Sequence, residues 1–282
     1  MSIDLPGRHF LNNALFLAHV ASACYESTPA SYKGFRRFGF DEIVTFAPDE
    51  TLQHESARGY IGANAGAIVL AFRGTDDVAD WLINLNVVQI EDHGAFVHRG
   101  FSRALTAVWP HIETILLSLL DRFPRKIWIT GHSLGGALAT LAALRIQRMG
   151  FEQLETFTFG QPRVGDRTMA GQIASPFYRF AYYADPVCQA PFTVPRTMQY
   201  KHAGTLKLID ATGHIVDKES HSMTQLLSKI LSVKQVVRDF LDNDLKSFFT
   251  NRINDHFMPN YIEKIERNTL RPGNSDNERR IK

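Results

Sequence analysis

Residues 126–144, KIWITGHSLGGALATLAAL, decide how this chain is read. The stretch opens on Ile127, Trp128, Ile129 and Thr130, turns through Gly131-His132-Ser133-Leu134-Gly135, and continues as an Ala/Leu run. The first part suits a buried strand and the last a buried helix. Packing alone gives no reason for a serine fenced by glycines at the corner. The pattern is G-x-S-x-G, in which a serine sits on a tight strand-to-helix turn and projects its hydroxyl past the strand's end. Neighbours two positions away must then lack side chains that would collide across the turn. Gly136, Ala137 and Ala139 let the helix lie close to its strand. The helix N-terminus directs a positive dipole to the place where an oxyanion would form. Ser133 is therefore the candidate nucleophile. The bland alternative is a glycine-rich turn without chemistry, and the strand before and helix after weigh against it.

A serine hydroxyl needs a base that is itself oriented by a carboxylate, and on this architecture the acid and then the histidine follow the serine in the chain. Asp185 closes the apolar-aromatic run FYRFAYYA and precedes Pro186, which favours an extended or turn conformation before it. An ordinary turn aspartate would look the same. Four histidines follow: His202, His214, His221 and His256. His202 lies in an apparent strand, His214 follows a turn glycine, and His221 opens a helical pattern where capping would suffice. His256, in INDHFMPNYI, lies in a late segment able to fold back over the sheet edge, and it leads the four by a small margin.

The chain has 282 residues, 44% apolar and 21% charged, an ordinary globular composition with enough length for one sizeable core. Basic residues exceed acidic ones by only two (31 against 29), which argues against nucleic acid or a strongly charged partner. No apolar run reaches membrane-spanning length. The N-terminal apolar stretch is interrupted by Asn12, Asn13 and His19 and reads as a helix on Phe10, Ala14, Leu17 and Ala21, not as a signal peptide. The location is left open by the sequence, between the cytoplasm and export by a signal-independent route. Cys24 and Cys188 match no metal spacing; free thiols are the expectation, and a single bridge between the two is the alternative.

Strand patterns occupy 41–48, both sides of a turn at 63–66, and parts of 154–166 and 177–187, with a late hairpin at 198–210. Helical spacing marks 97–123, stopped by Pro124, then 222–249, and the piece around DHFMPNYIEKI. Strands alternating with helices predict one α/β domain with a mixed sheet over 1–267, followed by a polar tail at 268–282.

Four blocks now stand in order: AFRGTDDVADWLINL (71–85), VHRGF (97–101), ITGHSLGGALATL (129–141) with TFGQPRVGD (158–166), and YRFAYYADPV (178–187). DHFMPNYI (255–262) is a fifth, less specific one. Together they resemble the class 3 lipase family, the α/β-hydrolases typified by filamentous-fungal triacylglycerol lipases. The resemblance implies a mostly parallel sheet flanked by helices, a Ser133–Asp185–His256 triad, and an oxyanion held by Thr75 and the backbone N–H of Leu134, with no cofactor and no metal. It also places a lid at about 76–92. The residues expected at the lid and substrate side are Val78, Trp81, Leu82, Leu85, Val88 and His132.

The implied activity is hydrolysis of lipid carboxylic esters, with transient contact at a lipid–water interface and no nucleic-acid partner or transmembrane segment. Phospholipids or aryl esters are alternative substrates for the same triad. A lipid-binding relative without catalysis is the reading outside enzymology. The chain departs from the fungal pattern in having too few cysteines for the fungal disulfides, no evident leader, and the helical stretch 222–249 between Asp185 and His256. Those departures point to a bacterial-type member.

Overall fold

All six residues of Ala67–Phe72 are buried, so this strand is covered on both faces. A computed structural model describes residues 10–47, 57–191, 199–216 and 253–270 and shows what covers it. In chain order the elements are α1 (Phe10–Ala23), α2 (Thr28–Arg37), β1 (Glu42–Phe46), β2 (Gly59–Ala63), β3 (Ala67–Phe72), α3 (Val78–Ile83), β4 (Gln89–Asp92) and β5 (Ala95–His98). There follow α4 (Arg99–Arg122), β6 (Lys126–His132), α5 (Leu134–Arg148), β7 (Leu154–Phe159), α6 (Arg167–Gln172), β8 (Phe177–Tyr182), β9 (Thr205–Ile209), β10 (Ile215–Val216) and α7 (Met258–Thr269).

Eight strands form one sheet in the order β1-β2-β3-β6-β7-β8-β9-β10. From β3 to β9 every neighbour is parallel; β1 and β2 at one end and β10 at the other pair antiparallel. Side-chain alternation sorts the core into two layers. Ile68, Leu70, Phe72, Ile127 and Ile129 pack under Leu105, Ile112 and Leu116 of α4 and Leu138 and Leu141 of α5. On the other face Val69, Ala71, Trp128, Phe157 and Phe180 meet Phe16 and Leu17 of α1 and Tyr261 and Ile265 of α7. This is the mixed, mostly parallel sheet flanked by helices that the sequence predicts. Its adjacent parallel strands β3, β6, β7 and β8 end beside one another. Thr75, Ser133, Gly160 and Asp185 follow those ends, the usual place for a ligand on such a sheet.

Some expectations shift. The late hairpin lies at 205–216, not 198–210: β9 joins β8 in parallel and turns back to β10. The turn is built by Asp210, whose Oδ1 accepts from the N–H groups of Thr212 and His214, and by Gly213 at φ 80°. α7 packs with α1 on a face of the sheet and does not fold over its edge. The span 76–92 contains helix α3 and then β4, which pairs with β5. Asn268 is buried and donates to the Gly213 carbonyl, which ties the end of α7 to the hairpin. The helix read at 222–249 lies outside the described residues, as do 271–282. Cys24 and Cys188 are both buried and free. Among the described residues no helix is long and apolar enough to cross a membrane.

Candidate active site

Ser133 has φ 58° and ψ −129°, a positive φ forced on a residue with a side chain. The turn is held on both sides: Ser133 N–H donates to the Phe159 carbonyl at 3.0 Å, and its own carbonyl accepts from Gly136 N–H at 2.9 Å. The flanking glycines answer to close backbone approach. A Cβ at 131 would lie 2.3 Å from the Gly135 carbonyl oxygen, and one at 135 would lie 2.3 Å from that of Phe72. Leu134 opens α5, so its N–H belongs to the first turn, where no intrahelical acceptor exists. Ser133 is fully buried, and its Oγ has no hydrogen-bond partner among the described residues.

His256 ends a single 3₁₀ turn, Ile253–His256, and its Nδ1 lies 2.8 Å from Asp185 Oδ2. Asp185 also accepts from Val187 N–H on Oδ1 (2.8 Å) and from the Tyr261 hydroxyl on Oδ2 (2.6 Å). Burial alone would raise the pKa of this carboxyl, but the His256 charge and these hydrogen bonds outweigh it and hold the pKa below the usual carboxylate value. A carboxylate facing Nδ1 fixes the proton there and leaves the lone pair on Nε2. That Nε2 is buried and, like Ser133 Oγ, lacks a partner among the described residues. The geometry therefore supplies an oriented imidazole and a strained serine, each with its reactive atom uncommitted.

The competing histidines are elsewhere. His202 lies outside β9 and donates from Nε2 to the Cys188 carbonyl at 2.7 Å. His214 is in the exposed β9–β10 turn, against Thr212. His221 lies outside the described residues.

Two tyrosines at the site were not anticipated. Tyr261 receives Tyr182 N–H at 3.0 Å while donating to Asp185, so it joins β8 to the carboxylate. The Tyr25 hydroxyl lies 2.8 Å from His132 Nδ1, and His132 Nε2 lies 2.7 Å from the His256 carbonyl oxygen. The carbonyl can only accept, so the proton is on Nε2 and the Tyr25 hydroxyl donates to Nδ1. Burial, then the nearby His256, lowers the His132 pKa to about 3. His132, expected on the substrate side, is instead a neutral bracket beneath His256 with both nitrogens engaged. Tyr261 stands five positions after His256 in the fifth block. Tyr25 carries no local signal, because its partner is more than a hundred residues away.

A cleft of about 550 Å³ opens beside the elbow, lined by Thr75, Leu134, Leu138, Phe101, Ala104, Trp81 and Leu85, with Arg58, Arg73, Asp76 and Asp80 among its polar residues. Thr75 and Leu134 thus both line this cleft. Above it α3 is capped by Asp77, whose carboxylate accepts from Asp80 N–H at 3.0 Å. Trp81 stacks on Phe101 with ring centroids 6.1 Å apart. Val78 is buried against Val187 and Ile253, wedged between the loop after Asp185 and the turn bearing His256, with Leu82 beside it. Of the expected lid residues, Trp81 and Leu85 line the cleft, Val78 and Leu82 pack next to the His–Asp pair, and Val88 is exposed.

Residues 69–194 match the family model described as lipase (class 3). That match spans the elbow and the Asp185 loop, and it is the part of the chain that is similar to class 3 lipases. A lipase of Rhizomucor miehei is 32% identical over 154 residues, covering 51% of this chain and 42% of that protein. A secreted mono- and diacylglycerol lipase of Fusarium solani is 34% identical over 159 residues, covering 54% and 46%. The chain therefore spans less than half the length of these two relatives. The solved triacylglyceride lipase of Rhizomucor miehei superimposes with a TM-score of 0.68 at 22% identity, over 82% of this chain and 94% of that one. The fold is accordingly that of the α/β-hydrolases. These relatives are fungal, and the bacterial-type expectation finds no support among them.

Proposed function

We propose that this chain is a class 3 lipase, a serine hydrolase that cleaves carboxylic esters of lipids through an acyl-enzyme. The observation that carries the reading is Ser133 held at positive φ beside a His256–Asp185 pair whose free Nε2 is buried with it. His256 Nε2 takes the Ser133 proton as Oγ attacks the ester carbonyl. Asp185 keeps the imidazole in the Nδ1–H tautomer and stabilises the imidazolium. Thr75 and the Leu134 N–H bind the tetrahedral oxyanion at the mouth of the cleft. His256 then gives its proton to the departing alcohol, and a water molecule, deprotonated by the same imidazole, releases the acid.

Acylglycerols are the proposed substrates, supported by the names of the fungal relatives and by the apolar stretch of the cleft at Trp81, Leu85, Phe101 and Leu138. Contact with a lipid–water interface belongs to the same proposal. Ser133 has no exposed surface, and α3, which carries Trp81 on the cleft, is the segment proposed to move aside and expose Trp81 and Leu82 when substrate enters. The test is hydrolysis of p-nitrophenyl esters of rising chain length and of emulsified triglyceride across its solubility limit, with a fluorophosphonate probe alongside. Turnover and labelling in the wild type, both lost in Ser133→Ala, support the reading. Turnover surviving in Ser133→Ala overturns the nucleophile, and no turnover of any ester overturns the activity.

A further inference from the structure

Arg179, in the middle of β8, is a cation with no ion-pair partner among the described residues. It is only 7% exposed, and its Nε and Nη1 have no hydrogen-bond partner among the described residues. Burial, with the neighbouring charge of Arg163, lowers its pKa to about 10. Buried charges are ordinarily paired or neutralised, and a guanidinium is not readily neutralised. The nearest catalytic acid does not answer it, since Asp185 is engaged by His256, Tyr261 and Val187.

The surroundings add to the imbalance. Arg163 lies close enough to repel Arg179, and its Nη1 is committed to the carbonyls of Gln189 and Pro191. His202 is near both arginines; its Nε2 donates to the Cys188 carbonyl, and its Nδ1 is buried without a partner among the described residues. Arg163 and His202 thus both hold the loop that follows Asp185, within electrostatic reach of Arg179. Two donors and one acceptor are left open.

We propose that Arg179, with Arg163 and His202, forms a binding site for a small oxyanion of the hydrogen-phosphate class, separate from the ester cleft. The Arg179 Nε–H and Nη1–H groups donate to the oxyanion, and Arg163 adds charge. His202 Nδ1 is an acceptor in the tautomer that its Nε2 bond dictates. An anion carrying its own hydroxyl satisfies all three open atoms; sulfate and chloride satisfy only the two donors. Arg163 and His202 already hold carbonyls of residues 188–191, so the bound anion would brace the loop behind Asp185.

The test uses the full chain freed of phosphate, melted in rising inorganic phosphate at constant ionic strength, with sulfate and chloride as comparators. The expected result is a saturable rise in Tm, roughly 5 °C or more at a hundredfold excess over Kd. The rise should be smaller in sulfate and chloride and absent in Arg179→Met. Equal responses of wild type and Arg179→Met, or one unsaturating response common to all three salts, would reduce the effect to general salt stabilisation and overturn the site. Equilibrium dialysis of labelled phosphate against the wild type decides the matter if the variant does not fold: one saturable site supports the proposal, none overturns it.

Discussion

Gly160 lies directly against the His256 ring: a Cβ at 160 would stand 2.8 Å from His256 Cε1 and 2.9 Å from its Nδ1, with Asp185 Oδ2 also 2.9 Å away. The carboxyl end of β7 thus forms a floor on which the His–Asp pair rests, and only a residue without a side chain leaves that floor flat. Gly160→Ala is expected to push the imidazole off its hydrogen bond. A displacement of about 1 Å in a catalytic group costs roughly a hundredfold in rate. The same change strains a backbone at φ 57° and lowers Tm. Steady-state kcat together with a melting curve checks this; a folded Gly160→Ala enzyme with full kcat would mean that the pair does not rest there.

Tyr261→Phe separates holding Asp185 from orienting His256. Losing the hydroxyl strands Tyr182 N–H and removes one donor from Asp185 Oδ2. Stability should drop by about 1–3 kcal/mol, the usual cost of an unpaired buried polar group. The carboxylate keeps His256 and Val187 N–H, so kcat should fall far less than in Asp185→Asn, where the wrong tautomer costs on the order of 10⁴. Denaturant midpoints and kcat for both variants test the ordering; equal losses of kcat would make Tyr261 as necessary as the acid it touches.

What could be read from the residues was whatever depends on near neighbours. The elbow was legible because Gly131 and Gly135 answer to clashes within a strand–turn–helix unit, and β2 and β3 were legible from an uninterrupted apolar run around a short turn. Asp185 and His256 were weak candidates on their own residues, since an Asp-Pro turn and a late histidine have innocent explanations; the block order raised them. Tyr25 and the bracket role of His132 could not be read at all. The partners of His132 lie 107 and 124 residues away, and only the packing of α1 and α7 on one sheet face brings them together. The β9–β10 hairpin was misplaced because the Asp210 turn competes with a pattern that also suits the preceding residues.

Thr75 lines the cleft beside Leu134, where it can meet charge that exists only after Ser133 attacks. Thr75→Ala should therefore lower kcat by about 10²–10³ while KM stays near its wild-type value, the mark of an interaction made only in the transition state. Thr75→Ser keeps the hydroxyl and should recover most of the rate. A Thr75→Ala enzyme with unchanged kcat would remove the residue from the oxyanion site.

His98, His132 and His202 weaken the fold in acid. Burial lowers His98 to about 4 and His132 to about 3, and burial with the charges of Arg179 and Arg163 holds His202 well below the ordinary value. All three are thus neutral in the native state near neutral pH, whereas in the unfolded chain they take up protons at about pH 6.5. The unfolded state binds more protons below that value, so stability falls as pH drops from about 6.5 towards 4, each group contributing up to about 1.4 kcal/mol per pH unit. His98 begins to protonate in the folded protein near 4, which ends its share there, and His132 continues to about 3. Melting curves at pH 7, 6, 5 and 4.5 should show Tm declining across the series, and His98→Gln, which removes one of the three groups, should decline less steeply. A wild-type Tm that is flat between pH 6.5 and 4.5 would mean that these imidazoles are not held neutral by the fold.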